Sequence, residues 1–479
     1  MIKKTVSFTL LAILLFTAAS CELTDDDHPI DINEDFKTEY EVGSTEPDWS
    51  DAIVLKEDLS VDELSVDASD VDFDTPGTYD VVFSVPQGEP LKLTIEVIRD
   101  YVIDFSIGHS HVLAVTYFAR IYAWGNNAFG QLGNGQTGID AFVSTPLVVS
   151  ESFDLHDNER IVHVFTGQDH SFALTNDDRL FSWGMNWAGQ LGDGTDDNHA
   201  LPQDITMNLG LAENERIIDL QSDYHSIVLT SNDRLLSFGW NENGQLANGD
   251  SGHSSEEILP IDVTNSFAIE DNDTIASIRI NRVLTENGRV FAWGENDEGQ
   301  VGDDTDEDRP FPVDTTDTYP LLEGETIRSF SDTGMIALTE SRVLALGIKK
   351  SLGGNLSVES IVDDITDRFE LEDEDVIEHV RNASHMLALS EHGRLYAWGQ
   401  NTYGELGIDD IDHSPDPIDI TDSIPTDDGE SIVKVEAGTN GFSILLTSSG
   451  RLFAWGRNNF GQLGIGTQED TSTPTLIEL

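Results

Sequence analysis

His109 and His111 stand two residues apart, so on a strand they would share a face and could ligate zinc. No third ligand with metal spacing is evident, and His111 belongs to a recurring set with His170, His225 and His385 that reads as hydrogen-bonded turn residues. Three acidic loops, Asp193 to Asp197, Asp303 to Asp308 and Asp409 to Asp412, could hold calcium or serve as solvated acids that keep the chain soluble. Asp70, Asp72 and Asp74 invite a calcium reading too. An EF-hand loop would need Gly where Thr75 stands and Glu where Val81 stands, so solvated strand-edge acids fit better. There is no Gly-x-Ser-x-Gly elbow, no His-Glu-x-x-His and no Gly-Lys-Ser/Thr phosphate loop. The expectation is a chain with no catalytic residues, no metal and no cofactor, calcium being the one ion to consider.

The charge balance narrows the partners. Ninety acids face 25 bases over 479 residues, a formal charge of -65, which repels phosphate backbones and anionic membrane surfaces alike. Hydrophobic residues at 38% suffice for a real core. The single cysteine, Cys21, excludes an intrachain disulfide and a thiolate cluster.

Cys21 carries its own chemistry. Lys3-Lys4, an apolar run from Thr5 to Thr17 and the small residues Ala18-Ala19-Ser20 read as a signal peptide over 1–20. Ala18-Ala19-Ser20-Cys21 resembles a bacterial lipobox, with Ala18 where that family usually has Leu. The resemblance implies cleavage before Cys21 and lipid attachment to its sulfur; an ordinary secreted protein is the alternative. Several acyl chains anchor stably where one does not. Residues 21–37, rich in Asp, would form a lipidated, solvated tether at a bacterial cell envelope, surface-exposed or extracytoplasmic.

Over 38–100 the pattern is period two. Tyr79, Val81, Phe83 and Val85 alternate with polar neighbours, a turn follows at 86–90, and Leu91, Leu93, Ile95 and Val97 alternate again, which predicts two antiparallel strands. The Thr75-Pro-Gly-Thr-Tyr79 entry resembles that of bacterial immunoglobulin-like domains, which implies a spacer.

Residues 101–479 repeat one sentence seven times: Arg, apolar, aromatic, small, Trp, Gly. It runs Arg120 to Trp124-Gly125, Arg179 to Trp183-Gly184, Arg234 to Phe238-Gly239 and Arg289 to Trp293-Gly294. Arg342 to Leu346-Gly347, Arg394 to Trp398-Gly399 and Arg451 to Trp455-Gly456 complete it. A Gly-Gln-Leu-Gly-like turn follows in six units, as at Gly130 to Gly133 and Gly461 to Gly464. Short strands parted by Gly and Pro turns, in units of 52 to 59 residues, suit four-stranded propeller blades.

These motifs resemble the regulator of chromosome condensation repeat family. The resemblance implies an all-β fold: a seven-bladed β-propeller preceded by a small β-sandwich-like domain, with structural glycines and an aromatic packed between blades. The seven arginines could make a basic patch, but their symmetry favours pairing within each blade. Several units depart from the pattern. Ser222 and Asn382 replace the glycine before the repeat histidine, the fourth unit lacks about three residues near Ser277 to Ile280, and the fifth has a shortened turn at Ile348 to Gly353. In the seventh, Gly441 stands for the histidine. The terminal Pro474 to Leu479 is expected to pair beside Val102 to Ser106 and latch the ring, since closure removes sheet edges.

The site just after Trp-Gly is polar or small in most units, as Asn126, Glu295, Gln400 and Arg457. Met185, Trp187 and Trp240, at or near this site, break that pattern. They should lie together at the rim of one propeller face, either anchoring a protein partner or packed under neighbouring loops. The leading functional reading is a monomeric, non-enzymatic cell-surface scaffold that binds protein through its loops, with inhibition of an extracellular enzyme as a sub-class. Guanine-nucleotide exchange, as in the family's eukaryotic founder, is the alternative, opposed by the acidic tail and the leader. A propeller enzyme is the third. Ultraviolet sensing would require Gly-Trp-Arg-His-Thr motifs, and the chain has none.

Overall fold

The computed structural model describes residues 30–479 apart from 34, 35, 57–59, 87, 271, 332, 351–357, 373 and 410. Cys21 and the leader lie outside the described residues. The chain divides into two compact units, one ending at Tyr101 and the other Val102–Leu479.

In the first unit, Gly77–Ser84 and Leu91–Ile98 pair antiparallel, as the alternation predicts, with Tyr79 opposite Ile95. Glu39–Glu41 adds in parallel on one side and Ser65–Asp67 antiparallel on the other. Val81, Phe83, Leu91, Leu93, Ile95 and Val97 form the core with Tyr40 and Trp49. A second pairing, Ile30–Ile32 with Ile53–Leu55, corrects one expectation. The stretch 21–37 is not all tether: Ile30 is buried in this core, and Ile32 and Phe36 pack against it. Three apolar side chains suffice to draw that end of the acidic segment into the fold.

The second unit is seven four-stranded antiparallel sheets, each built from one contiguous stretch in chain order. The first blade is Val102–Ile107, His111–Thr116, Ile121–Gly125 and Val143–Val148; the seventh is Ile432–Gly438, Phe442–Thr447, Leu452–Gly456 and Thr471–Ile477. Second and third strands are buried almost throughout, because each blade packs on a neighbour through both faces. The innermost first strands neighbour one another around the axis. Antiparallel order puts the first-to-second and third-to-fourth connections of every blade on one face, called here the loop face. The second-to-third turns and the blade-to-blade connections lie on the other.

The ring closes differently from the expectation. Thr471–Ile477 pairs with Leu452–Gly456 in its own blade and not with the first strand, so no blade is shared between the ends of the propeller. The two ends meet through side chains and two backbone bonds, Val102 N–H to the Gly450 carbonyl at 3.3 Å and Gly466 N–H to the Ser144 carbonyl at 2.8 Å. Trp124, Phe105 and Val102 pack with Phe442, Leu463 and Ile477. A buried tryptophan covers about 200 Å², roughly 5 kcal/mol of transfer free energy as an upper estimate, so this packing outweighs any one hydrogen bond across the seam.

The departures in the repeat have structural counterparts. In the fourth blade only two residues join Ile275–Arg279 to Arg282–Thr285, against three between the equivalent strands of the first. In the seventh, Phe442 and not Gly441 stands opposite Gly456, the place that His111, His170, His225 and His385 hold opposite their own glycines. In the fifth, the third strand continues as Val343–Lys350 without the left-handed glycine that ends the others. Part of its shortened turn lies outside the described residues.

Candidate binding face

The repeat motifs resolve into framework. Trp124, Trp183, Trp293 and Trp455 are fully buried, and each indole donates Nε1–H to the backbone carbonyl of the turn in the preceding blade: Gln462, Gln131, Gln245 and Glu405, at 2.7 to 3.0 Å. Trp398 is buried in the same kind of seam, between the fifth and sixth blades. The glycine ending the turn lies on the next blade's aromatic at Gly133, Gly192, Gly407 and Gly464, whereas Gly302 lies on Leu346 and the third turn ends in Ala247; a Cβ on Gly133 would come within 2.9 Å of Trp183 Nε1. Gly125, Gly184, Gly294, Gly399 and Gly456 hold φ between 89° and 105°, and a Cβ on Gly125 would meet the Ser110 carbonyl at 2.3 Å.

Arg179, Arg234, Arg289, Arg342, Arg394 and Arg451 pair within their own blades, where symmetry placed them. Arg179 bridges Glu159 and Asp204, Arg234 bridges Glu215 and Asp262, and Arg289 holds Asp314. Arg342 holds Glu325 and Asp364, Arg394 holds Asp419 and Glu372, and Arg451 holds Glu430 and Asp427. Arg120 occupies the equivalent turn of the first blade.

The repeat histidines bridge blades. Nε2 of His111, His170 and His385 meets the hydroxyls of Ser171, Ser222 and Ser443 at 2.7 to 3.0 Å, and His225 Nε2 donates to the Ile280 carbonyl at 3.2 Å. His109 points elsewhere, to Thr439 at 3.0 Å, so the pair does not converge on a shared ion. His156, Glu159 and Asp177 do converge, but Glu159 is already the partner of Arg179. The first acid of two acidic loops is likewise spent on its own loop. Asp193 Oδ1 accepts from Asn186 Nδ2 and from the amide and hydroxyl of Thr195, and Asp303 does the same for Asn296 and Thr305.

Two devices that hold the loops escaped the sequence reading, though both repeat. A buried asparagine follows two residues after the Trp-Gly glycine or its equivalent: Asn127, Asn186, Asn241, Asn296, Asn401 and Asn458. Its Oδ1 accepts the amide of the residue five further on, at 2.9 to 3.0 Å. An Asp-x-Thr closes five outer strands, as Asp204 and Thr206, and the threonine hydroxyl takes the first amide of the third strand. The asparagines fasten the loop face to the sheets, which is what a recognition surface requires, and the Asp-x-Thr pairs fasten the opposite face.

On that face the sequence-predicted trio divides. Met185 is buried, with its amide on the Asp169 carbonyl and its Sδ accepting from Trp187 Nε1 at 3.0 Å; it supports the surface and is not part of it. Trp187 is 51% exposed. Its ring lies 6.1 Å from that of Trp240, and both meet Tyr224, at 6.4 and 5.3 Å, the latter edge-on at 83°. Tyr224 was not foreseen. It precedes a repeat histidine at a position that varies between units, and only the fold brings it to Trp240, whose amide donates to its carbonyl. Acids surround the rings. Burial and then Asp223 and Asp169 push the Tyr224 hydroxyl up, and burial with Asp297, Asp308 and Asp223 pushes the Glu295 carboxyl up.

The regulator of chromosome condensation (RCC1) repeat matches 119–174, 177–229, 287–322, 392–445 and 449–479, and a second form of the same repeat matches 161–190, 221–245 and 432–462. Together they span just over half of the chain. The chain belongs to the RCC1 repeat family. Among curated relatives, the ultraviolet-B receptor UVR8 of Arabidopsis thaliana is 27% identical over 380 residues, covering 79% of this chain and 82% of that one. The X-linked retinitis pigmentosa GTPase regulator homolog of Caenorhabditis elegans is 25% identical over 392 residues, 78% of this chain but 24% of its own length. Human E3 ubiquitin-protein ligase HERC2 is 28% identical over 247 residues, 49% of this chain and 5% of its own. Of solved structures, Prp20p, the RCC1 of Saccharomyces cerevisiae, superposes with a TM-score of 0.59 at 21% identity, covering 75% of this chain and 86% of that one. That likeness is one of fold. RCC1-repeat propellers act as protein-binding platforms or exchange factors.

Proposed function

We propose that this RCC1-repeat chain is a non-enzymatic scaffold whose loop face binds a protein partner, inhibition of an enzyme being one form such binding takes. One observation carries the reading: three aromatic rings cluster on a rigid face with Trp187 half-exposed, where other blades place small or polar residues. Exposed tryptophan set against further aromatics is the usual make-up of an interaction hot spot. A lipid on Cys21 would hold the chain at a bacterial cell envelope, with the small β unit as a spacer. The test uses the full chain as bait for envelope proteins, beside a Trp187→Ala/Trp240→Ala double variant. A partner retained by the first and lost by the second, with both chains melting alike, supports the scaffold; equal retention overturns this face. Exchange on a small GTPase is the competing family role, and a nucleotide-free GTPase as the retained partner would favour it. Cys21→Ser should abolish incorporation of a fatty-acid analogue, and unchanged labelling would sink the anchor.

A further inference from the structure

The rings of Trp187, Tyr224 and Trp240 do not sit in an apolar surround. Asp223 lies beside Tyr224 in the same loop, its Oδ1 accepting from Gln168 Nε2 at 2.5 Å. Asp169 lies in the equivalent loop of the preceding blade, its Oδ1 accepting from Gln131 Nε2 at 2.8 Å with His109 nearby. Glu295 follows the Trp-Gly of the next blade and is exposed. It feels Asp297, Asp308 and Asp223, so these carboxylates act on one another. An aromatic face within a field of carboxylates is what a cation seeks, since the ring quadrupole and the acids both favour positive charge and partial burial strengthens both.

The same face shows such a pairing within the molecule. In the seventh blade Arg457, which like Trp240 follows the glycine ending the third strand, lies 4.6 Å over the ring of Tyr403. Its amide donates to the Gly441 carbonyl as the amide of Trp240 donates to Tyr224. There the cation belongs to the chain. At the second and third blades the rings and the acids are present, and among the described residues no Lys or Arg stacks on any of the three rings.

We propose that Trp187, Tyr224 and Trp240, with Asp169, Asp223 and Glu295, receive an arginine side chain presented by the protein partner. This rests on the scaffold reading above and adds the chemistry of what it binds. Arginine suits the place better than lysine, because a planar guanidinium stacks on a ring while its edge donates to carboxylates. A second copy of this chain does not fit, since the face would bring its own acids against themselves in a molecule of charge -65.

The test is fluorescence anisotropy on the full chain with three labelled decapeptides, alternating Gly-Arg, Gly-Lys and Gly-Gln, in about 0.15 M salt so that distant charges are screened. The Gly-Arg peptide should bind more tightly than Gly-Lys, and Gly-Gln should not bind. Trp187→Ala/Trp240→Ala should weaken the Gly-Arg complex at least tenfold, and Asp223→Asn/Glu295→Gln several-fold. Asp317→Asn/Asp422→Asn, two exposed acids on the opposite face, should change it less than twofold. Equal loss from both acid pairs would mean that the peptide merely follows net charge, and would overturn the proposal. Should the Ala double variant melt early, Trp187→Gln at the most exposed ring decides by the same criterion. Tryptophan-dependent capture of a protein partner combined with equal binding of Gly-Arg and Gly-Gln would keep the scaffold and discard the cation. Capture indifferent to the tryptophans would discard both.

Discussion

Lys434 of the seventh blade donates from Nζ to the backbone carbonyl of Phe105 in the first, 2.5 Å away, and to Asp104 Oδ1 at 2.8 Å. The innermost strands carry more latches of this sort. Arg279 donates to the Phe330 carbonyl and Arg381 to that of Val435, each on the following blade. Four of the chain's few strong bases, Arg279, Arg328, Arg381 and Lys434, thus lie on innermost strands or bond across them. They hold the ring where strand exchange between its ends does not.

The first prediction follows. Burial raises the Asp104 carboxyl, but Lys434 and His163 outweigh burial and hold it below its ordinary value. Lys434→Met leaves that carboxylate with His163 as its one remaining ionic partner and should cost about 3 kcal/mol in a urea melt. The double variant Lys434→Met/Asp104→Asn should recover most of the loss. A double variant no better than the single would show that the lysine acts through its bond to Phe105 alone.

The second concerns the indole latches. Trp183→Phe keeps the ring in its seam and gives up the bond to the Gln131 carbonyl, so it should cost about 1 kcal/mol. The third blade already uses Phe238 at this place, against Gly192. Trp183→Ala opens a cavity and should cost about 3–5 kcal/mol. Gly133→Ala should also be severe, because it pairs a φ of 72° with a Cβ 2.9 Å from the indole nitrogen. Thermal melts of the three variants should rank Phe mildest, and an Ala variant as mild as Phe would refute the packing argument.

What the sequence made legible was whatever repeats with identity. Trp-Gly, Gly-Gln-Leu-Gly and the arginines recur because seven equivalent places impose one steric or charge demand, and from them the propeller could be read. The inner latches were not legible, because the residues equivalent to Lys434 are Asp104, His163, Asp219, Ser277, Ser329 and His379, seven places with four residue types. There each blade complements its particular neighbour. The binding face was half legible for a related reason. Trp187 and Trp240 stood out by breaking a pattern, whereas Tyr224 sits where no pattern exists, and spacing alone does not tell that Met185 is buried with its sulfur on the Trp187 indole. Ring closure was misjudged because a C-terminal strand that looks spare is the outer strand of its own blade.

The third prediction separates equivalent arginines. Arg179 reaches Glu159, whose side chain is wholly buried, at 2.7 Å, and Asp204 at 2.8 Å. Arg289 has Asp314 and the Ala268 carbonyl, with the shorter Asp273 where the second, third, fifth and seventh blades have glutamate. Arg179→Met strands a buried carboxylate and should cost about 3 kcal/mol, whereas Arg289→Met gives up a more exposed pair worth about 1 kcal/mol. Equal losses in denaturant melts would show that the outer aspartate, and not the buried glutamate, sets the value of the site.

The last prediction is a pH dependence with a named source. Burial pushes His111, His170 and His385 down to about 3, with neighbouring histidines adding to the effect at the first two. In the unfolded chain a histidine titrates near 6.5. Between these values the unfolded state takes up a proton that the folded state refuses, so each histidine favours folding above about pH 6.5 and loses that contribution as pH falls toward 3. From pH 7 to pH 5 the loss is roughly 2 kcal/mol for each histidine by this linkage. Glu325 and Glu430 do not enter that window. The Arg342 hydrogen bond holds Glu325 at about 2, and Arg451 holds Glu430 there against its burial, so their contributions fade only below the ordinary carboxylate range. Asp169 and Asp219, raised by burial, act with the opposite sign and are common to every variant. His385→Gln can still bond to the Ser443 hydroxyl but cannot be protonated. Its stability should therefore fall by roughly 2 kcal/mol less than the parent's between pH 7 and pH 5, read from urea midpoints at the two values. A variant as acid-sensitive as its parent would mean that His385 is not held neutral in the blade seam.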